Sequence, residues 1–195
     1  DGTRFARVPS PFRAPLGSRP VHETSFRTAT HDDVPVVVDL VQSAYRGDAS
    51  REGWTTEADL LEGQRIDPTM LREVLDRDDS VVLLAEQGGE VVACCELRRP
   101  PERGGAAYLG MFAVRPGRQG GGLGRRVLEE GERVVREEWG AGSLELTVIE
   151  VREELIAWYH RRGYEPTGRY EPFPYGDERF GRPLRDDLRF VVLAK

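Results

Sequence analysis

The sequence predicts an α/β fold, and three observations carry that prediction. Short runs in which apolar and polar residues alternate are interleaved with segments whose apolar residues recur at helical spacing. Gly88-Gly89 separates two of the strand-like runs, 80–87 and 90–98, as a tight hairpin requires. A further apolar run, 108–114, passes through the glycine-rich segment Arg115-Pro-Gly-Arg-Gln-Gly-Gly-Gly-Leu-Gly-Arg-Arg126 into a helical stripe.

Taken in order, residues 1–22 hold four prolines, four arginines and one acid without periodicity, and are read as an irregular N-terminal extension; 23–195 are expected to form a single domain. A first strand is expected at 25–29. Thr30-His-Asp-Asp33 offers capping groups for a helix at 34–45, with Val37, Val38, Val41 and Tyr45 on one side. The polar stretch 46–56 reads as a loop, and 57–64 and 68–77 as short helices, with Pro68 suited to a first turn. After the hairpin and a loop at 99–105 comes a strand at 107–114. Leu123, Val127, Leu128, Val134 and Val135 form the stripe of the next helix. A strand at 144–148 precedes a helix at 152–162. That helix begins with Glu153 and Glu154, ends with Arg161 and Arg162 as its dipole favours, and is followed by Gly163 as a cap. Tyr164 and Val191 lie in two final strand-like runs.

Composition narrows the function. At 195 residues the chain can bury its own core. A net charge of −6 argues against general nucleic-acid binding. No apolar stretch approaches the roughly 18 residues of a membrane span, so neither a nucleic acid nor a membrane is expected as partner. The only cysteines, Cys94 and Cys95, are neighbours that would point to opposite faces of a strand. They read as apolar strand residues in a reducing compartment, and a cytoplasmic location is expected. No Cys/His spacing suggests a metal site.

Against this acidic background the glycine segment is locally basic. Arg115, Arg118, Arg125 and Arg126 surround it, and no acid occurs from 104 to 128. Glycines let successive N–H groups converge, and the helix start adds positive potential. The segment therefore reads as a phosphate cradle, although a turn that merely starts a helix would look similar. A nucleotide P-loop would need Gly-Lys and a hydroxyl, and a dinucleotide fingerprint needs G-x-G-x-x-G; both patterns fail here.

Gln119-Gly-Gly-Gly122-Leu-Gly124 does resemble the Q/R-x-x-G-x-G/A loop of the GNAT superfamily of acetyltransferases. Farther on, Leu155-x-x-Trp158-Tyr159-x-x-x-Gly163-Tyr164 resembles that superfamily's second signature, A-x-x-L-Y-x-x-x-G-F/Y. The resemblance runs from about Phe26 to Lys195, and the tail 172–193 is similar to a subgroup with no assigned substrate. It implies a mixed, mostly antiparallel sheet of about seven strands flanked by about four helices. The strands before the loop and before the last helix would splay into a V. It further implies an acetyl-CoA-dependent N-acetyltransferase that acts on a small-molecule or peptide amine by direct transfer in a ternary complex. Homodimers are frequent in the superfamily, and no metal is implied.

The resemblance assigns the pantetheine arm and the thioester carbonyl to Met111, Phe112, Ala113 and Val114. It assigns the pyrophosphate to Arg118, Gln119, Gly120, Gly121, Gly122, Leu123, Gly124 and Arg125. Trp158 and Arg152 join this cofactor set; Arg152 stands where many members carry Asn, and either touches the arm or simply flanks the helix. Tyr159 matches the general acid, protonated at neutral pH because a phenol titrates near pH 10; the alternative is a ring packed beneath the cofactor. Tyr108 occupies the usual base position, so Glu96 is the substitute, with Glu145 second and a solvated carboxylate the alternative for each. Acceptor residues are expected in 45–65 and 170–188, namely Tyr45, Trp54, Glu57 and Tyr175, where aromatics and acids together suit a cationic amine. The rival readings are a non-catalytic acyl-CoA sensor on the same fold and a phosphate-binding protein that uses the arginine loop alone.

Overall fold

The computed structural model describes residues 23–195; the expected extension at 1–22 lies outside them. Strand β1 (Thr24–Thr28) leads into a capping box, in which the Thr30 N–H donates to Asp33 Oδ2 at 2.8 Å. Helix α1 (Val34–Tyr45) follows and buries Val34, Val37, Leu40, Val41, Ala44 and Tyr45, a stripe of 3.6-residue periodicity from which the expected Val38 is displaced to a half-buried position. One turn, α2 (Gly47–Ser50), interrupts the expected loop. Helix α3 (Pro68–Leu75) is capped by Asp67, which accepts from the N–H groups of Thr69 and Met70.

Strands β3 (Ser80–Gln87) and β4 (Glu90–Arg98) are joined by Gly88 and Gly89, whose φ values of 61° and 83° fit a two-residue hairpin turn. Strand β5 (Ala106–Val114) runs through the glycine loop into α4 (Leu123–Arg133), extended by a wider turn at Val134–Glu138. Strand β6 (Ser143–Ile149), helix α5 (Glu153–His160), strand β7 (Glu165–Pro172) and strand β9 (Arg189–Ala194) complete the main elements.

The seven-stranded sheet has the order β1-β3-β4-β5-β6-β9-β7. Only β5 and β6 run parallel. Their pairing stops at Leu109 and Leu146, so the later residues of both strands diverge. This is the expected V. On the other side of β5, register with β4 slips between Cys94 and Glu96, and Met111 takes a left-handed φ of 44°. Such a conformation in a residue with a Cβ is strained and clusters at functional positions.

One apolar core lies between the sheet and α4 and α5, the other between the sheet and α1 and α3. Cys95 is buried in the first and Cys94 in the second, as strand alternation requires.

One expected element is wrong. Residues 57–64 do not form a helix; Leu61–Glu62 form strand β2, paired with strand β8 (Arg182–Pro183). A distant segment satisfies the β2 backbone, and this outweighs local helical preference. The described residues hold five α-helices rather than about four, the addition being the single turn α2.

Candidate active site

Two cavities open where β5 and β6 diverge. The loop cavity, about 240 Å³, lies between the glycine loop, the end of β5 and the inner face of α5. Gly120 and Gly122 have φ of 85° and 78°, which only glycine adopts without strain. Gly121 has no such φ, is exposed, lines neither cavity, and a Cβ there would meet no protein atom within 4 Å. The first helical N–H to close is that of Arg126, which donates to the Gly122 carbonyl at 3.2 Å. The N–H groups just before it are the unsatisfied donors of a helix start and suit an anion. Gln119 turns the other way. Its Nε2 donates to the Val114 carbonyl and Thr55 Oγ1, both at 3.0 Å, and its Oε1 accepts from the Trp54 N–H at 3.0 Å. The Gln119 amide thus ties the 53–55 segment over the cavity.

Helix α5 supplies the opposite wall. Trp158 lies 6.1 Å from Trp54, 6.1 Å from Phe112 and 5.0 Å from Tyr159, centroid to centroid. The Arg162 guanidinium stacks 3.5 Å over Trp158 and donates to its carbonyl, yet the buried Arg162 Nε has no partner. Tyr159 is 5 % exposed and lines both cavities. Among the described residues its hydroxyl has no hydrogen-bond partner. Burial first, and then Tyr45, push its pKa well above that of an ordinary phenol, so it stays protonated. The Tyr45 hydroxyl, by contrast, donates to the Phe112 carbonyl, and burial pushes its pKa up to about 12.

The charged cavity lies on the other side of Tyr159 and is about 370 Å³. The two segments expected to meet an acceptor converge over it: β2 pairs with β8, and the Leu184 N–H donates to the Leu60 carbonyl at 2.9 Å. Glu57 sits in its wall, 7 % exposed, with Oε2 accepting from Arg46 at 2.6 Å and Oε1 from Arg152 at 2.9 Å. Arg152 also donates to the Thr55 carbonyl at 2.6 Å. Burial raises the Glu57 pKa, but Arg152, Arg65 and Arg46 together outweigh burial and hold it below the usual carboxylate value. Glu57 is therefore an anion with both oxygens engaged, and a poor proton acceptor. The expected pool of free acids for a cationic acceptor is smaller than the sequence suggests, since Asp59 pairs with Arg51 and Asp177 with Arg179.

The structure brings Tyr45, Trp54, Phe112, Val114, Gln119, Gly120, Gly122, Gly124, Arg125, Trp158 and Tyr159 to the loop cavity. Met111, Glu57 and Arg152 line the charged cavity instead. Ala113 and Leu123 are buried in the two cores. Arg118 reaches toward Glu90 at 3.5 Å, and Tyr175 hydrogen-bonds Arg185 and Leu188; neither lines a cavity. Glu96 is buried against Ser80 and Arg98 and lines neither cavity, and Glu145 pairs with Arg169 at 2.5 Å. The sequence reading did not single out Arg46, Arg65 and Glu171 in the charged cavity or Thr55 and Arg162 in the loop cavity. The first three and Thr55 do fall within the expected segments 45–65 and 170–188, and Arg162 has helical spacing from Tyr159 and Trp158. Among the described residues no group of three or more His, Cys, Asp or Glu is placed to hold a metal ion, and no helix is long and apolar enough to cross a membrane.

Comparison with known proteins agrees with this geometry. The profile of the acetyltransferase (GNAT) family matches residues 38–164. An amino-acid acetyltransferase of Azotobacter vinelandii (strain DJ / ATCC BAA-1303) is 33% identical over 108 residues, which are 55% of this chain and 24% of that protein. One from Pseudomonas aeruginosa (strain LESB58) is 34% identical over 107 residues, 55% of this chain and 23% of that protein. The chain thus matches only about a quarter of the length of these relatives. Among solved structures, a ribosomal-protein-alanine N-acetyltransferase from Brucella melitensis superposes with a TM-score of 0.63 at 21% identity, covering 88% of this chain and 98% of that one. A GNAT-family acetyltransferase from Streptococcus pneumoniae gives 0.61 at 17% identity, covering 89% and 99%. At these identities the two structures speak for the fold.

Proposed function

This chain belongs to the GNAT family of acetyltransferases, and from that premise we propose that it is an acetyl-CoA-dependent N-acetyltransferase acting on a primary amine by direct transfer in a ternary complex. The observation that carries the reading is Tyr159, a buried phenol whose unpartnered hydroxyl stands where the two cavities meet. The residues of the loop cavity fit the cosubstrate. The N–H groups from Gly120 to Gly124 would hold the pyrophosphate, with Arg125 and Arg162 in the wall adding charge. Trp54, Phe112 and Trp158 supply apolar walls, and the unpaired edge of β5 beyond Leu109 would take the pantetheine arm.

Acetyl-CoA supplies the activated acetyl group; on transfer the amine nitrogen bonds to the carbonyl carbon and the carbon–sulfur bond breaks. Tyr159 donates its proton to the departing sulfur, which needs only a hydrogen bond's reach. The amine proton leaves through the charged cavity. There Glu171 is, among the described residues, the lining carboxylate without an ion-pair partner, and Glu57 is too weak a base. A proton from solvent restores Tyr159.

Tyr159→Phe tests this reading. Turnover should fall about 10²- to 10⁴-fold, the usual contribution of a general acid, while acetyl-CoA affinity by calorimetry stays nearly the same. Unaltered turnover would remove Tyr159 as the acid.

A further inference from the structure

The charged cavity has five ionisable groups in its wall that carry charge at neutral pH: Arg46, Arg65 and Arg152 against Glu57 and Glu171. The internal pairing is uneven. Glu57 is shared between Arg46 and Arg152, and Arg152 also holds the Thr55 carbonyl. Arg46 is 5 % exposed; it donates to Glu57 and to the Phe180 carbonyl at 3.3 Å, while its Nε faces no acceptor. Arg65 is half-buried, and its guanidinium lies 5.5 Å over the ring of Tyr45, which lines both cavities beside Tyr159. Among the described residues its side chain makes no hydrogen bond and no ion pair within 4 Å, although its charge still acts on the nearby Glu57, which Arg46 and Arg152 already engage at both oxygens. Three guanidiniums against two carboxylates leave the wall with one net positive charge, in a chain whose net charge is −6.

On the acetyltransferase reading above, on which this depends, we infer that the acceptor is a small amine that also carries a carboxylate, and that Arg65 holds that carboxylate. A planar guanidinium binds a carboxylate through two parallel N–H donors, a geometry that an amine or amide cannot reproduce. Leu61, Phe173 and Phe180, from the two segments joined by β2 and β8, roof a cavity at the small end of the ligand-site range, about 300–1,000 Å³. A polyamine or a lysine side chain would instead bring positive charge against a wall that is already net positive. The amine end of the acceptor points at Tyr159, and Glu171 lies at the rim for its proton.

The test is thiol release from acetyl-CoA by the full chain, with free amino acids each paired with its own carboxamide and with spermidine as a carboxylate-free amine. The acid should exceed its amide by roughly 10- to 100-fold in kcat/KM, mostly through KM, the range for a hydrogen bond to a charged group. Arg65→Ala should cut that preference to less than about threefold and Arg65→Lys should restore part of it, because lysine keeps the charge but not the fork. Acetyl-CoA affinity, which reads the family-based assignment separately, should stay intact in both variants. A second arm needs no turnover: glutarate, a dicarboxylate without an amine, is titrated into the protein with and without CoA. Saturable binding weakened about tenfold or more by Arg65→Ala supports the site. Equal turnover of acid and amide, a preference for spermidine, or glutarate binding that is absent or indifferent to Arg65→Ala overturns it. Loss of acetyl-CoA binding and of all turnover would instead overturn the acetyltransferase reading, with the glutarate arm still deciding the anion site.

Discussion

The two cavities share Tyr159 but are built from different materials. The loop cavity is made largely of glycine backbone and aromatic rings, drawn mainly from two short stretches, 112–125 and 155–162. The charged cavity is made of side chains brought together from 46, 57, 65, 152 and 171, and most of their charge is cancelled internally. Backbone donors recognise what every member of a family must bind, because they survive changes of side chain. Long-range side-chain networks recognise what differs among members. On this account the loop cavity holds the common donor and the charged cavity sets the particular acceptor.

The contrast can be broken first at the loop. Gly122→Glu should abolish acetyl-CoA binding, a loss of more than about 100-fold. A left-handed φ of 78° costs a non-glycine residue about 1–2 kcal/mol, and the new carboxylate opposes the anion the loop would hold. A Cβ there meets no protein atom within 4 Å, so the variant should fold. Unchanged affinity in a folded variant would remove the loop from the site.

The charged cavity should respond through stability instead. Glu57→Gln leaves two guanidiniums without their counter-charge, one of them deeply buried. A cost of about 3 kcal/mol is expected, lowering Tm by roughly 6–12 °C. Acetyl-CoA affinity should hold within about threefold if the two cavities are energetically separate. A large loss of affinity with Tm unaltered would show that they are one unit.

The smallest effect is expected at Gly124, whose added Cβ would meet Trp158, Val114 and Phe112 at ordinary contact distances of 3.6–3.8 Å. Gly124→Ala should keep acetyl-CoA affinity within about twofold and add up to about 1 kcal/mol of helix stability. Impaired binding would mean that the ligand must approach the backbone closely at this position.

The same division explains what the sequence alone made legible. The glycine loop, α5 and the hairpin at Gly88-Gly89 are local patterns, and they stand where the spacing placed them. The V between β5 and β6 came only through family resemblance, because divergence of two strands leaves no mark in either. The expected helix at 57–64 became β2 because its partner lies about 120 residues away. Glu57 looked like a free carboxylate because Arg46 and Arg152 are 11 and 95 residues distant. Glu96 looked available because strand alternation does not reveal Ser80 and Arg98 beside it. Arg65 carries no motif at all and stands out only when its neighbours' pairings are known.

The most direct measurement of the central claim is a calorimetric titration of acetyl-CoA into the purified chain, with CoA and ATP as controls. The account predicts saturable binding of acetyl-CoA and CoA, with ATP much weaker, because on this account the pantetheine arm would add contacts along β5 and the aromatic walls to those of the phosphate cradle. No binding, or ATP binding equally well, would contradict it: the glycine loop would then be a structural turn or a general anion site.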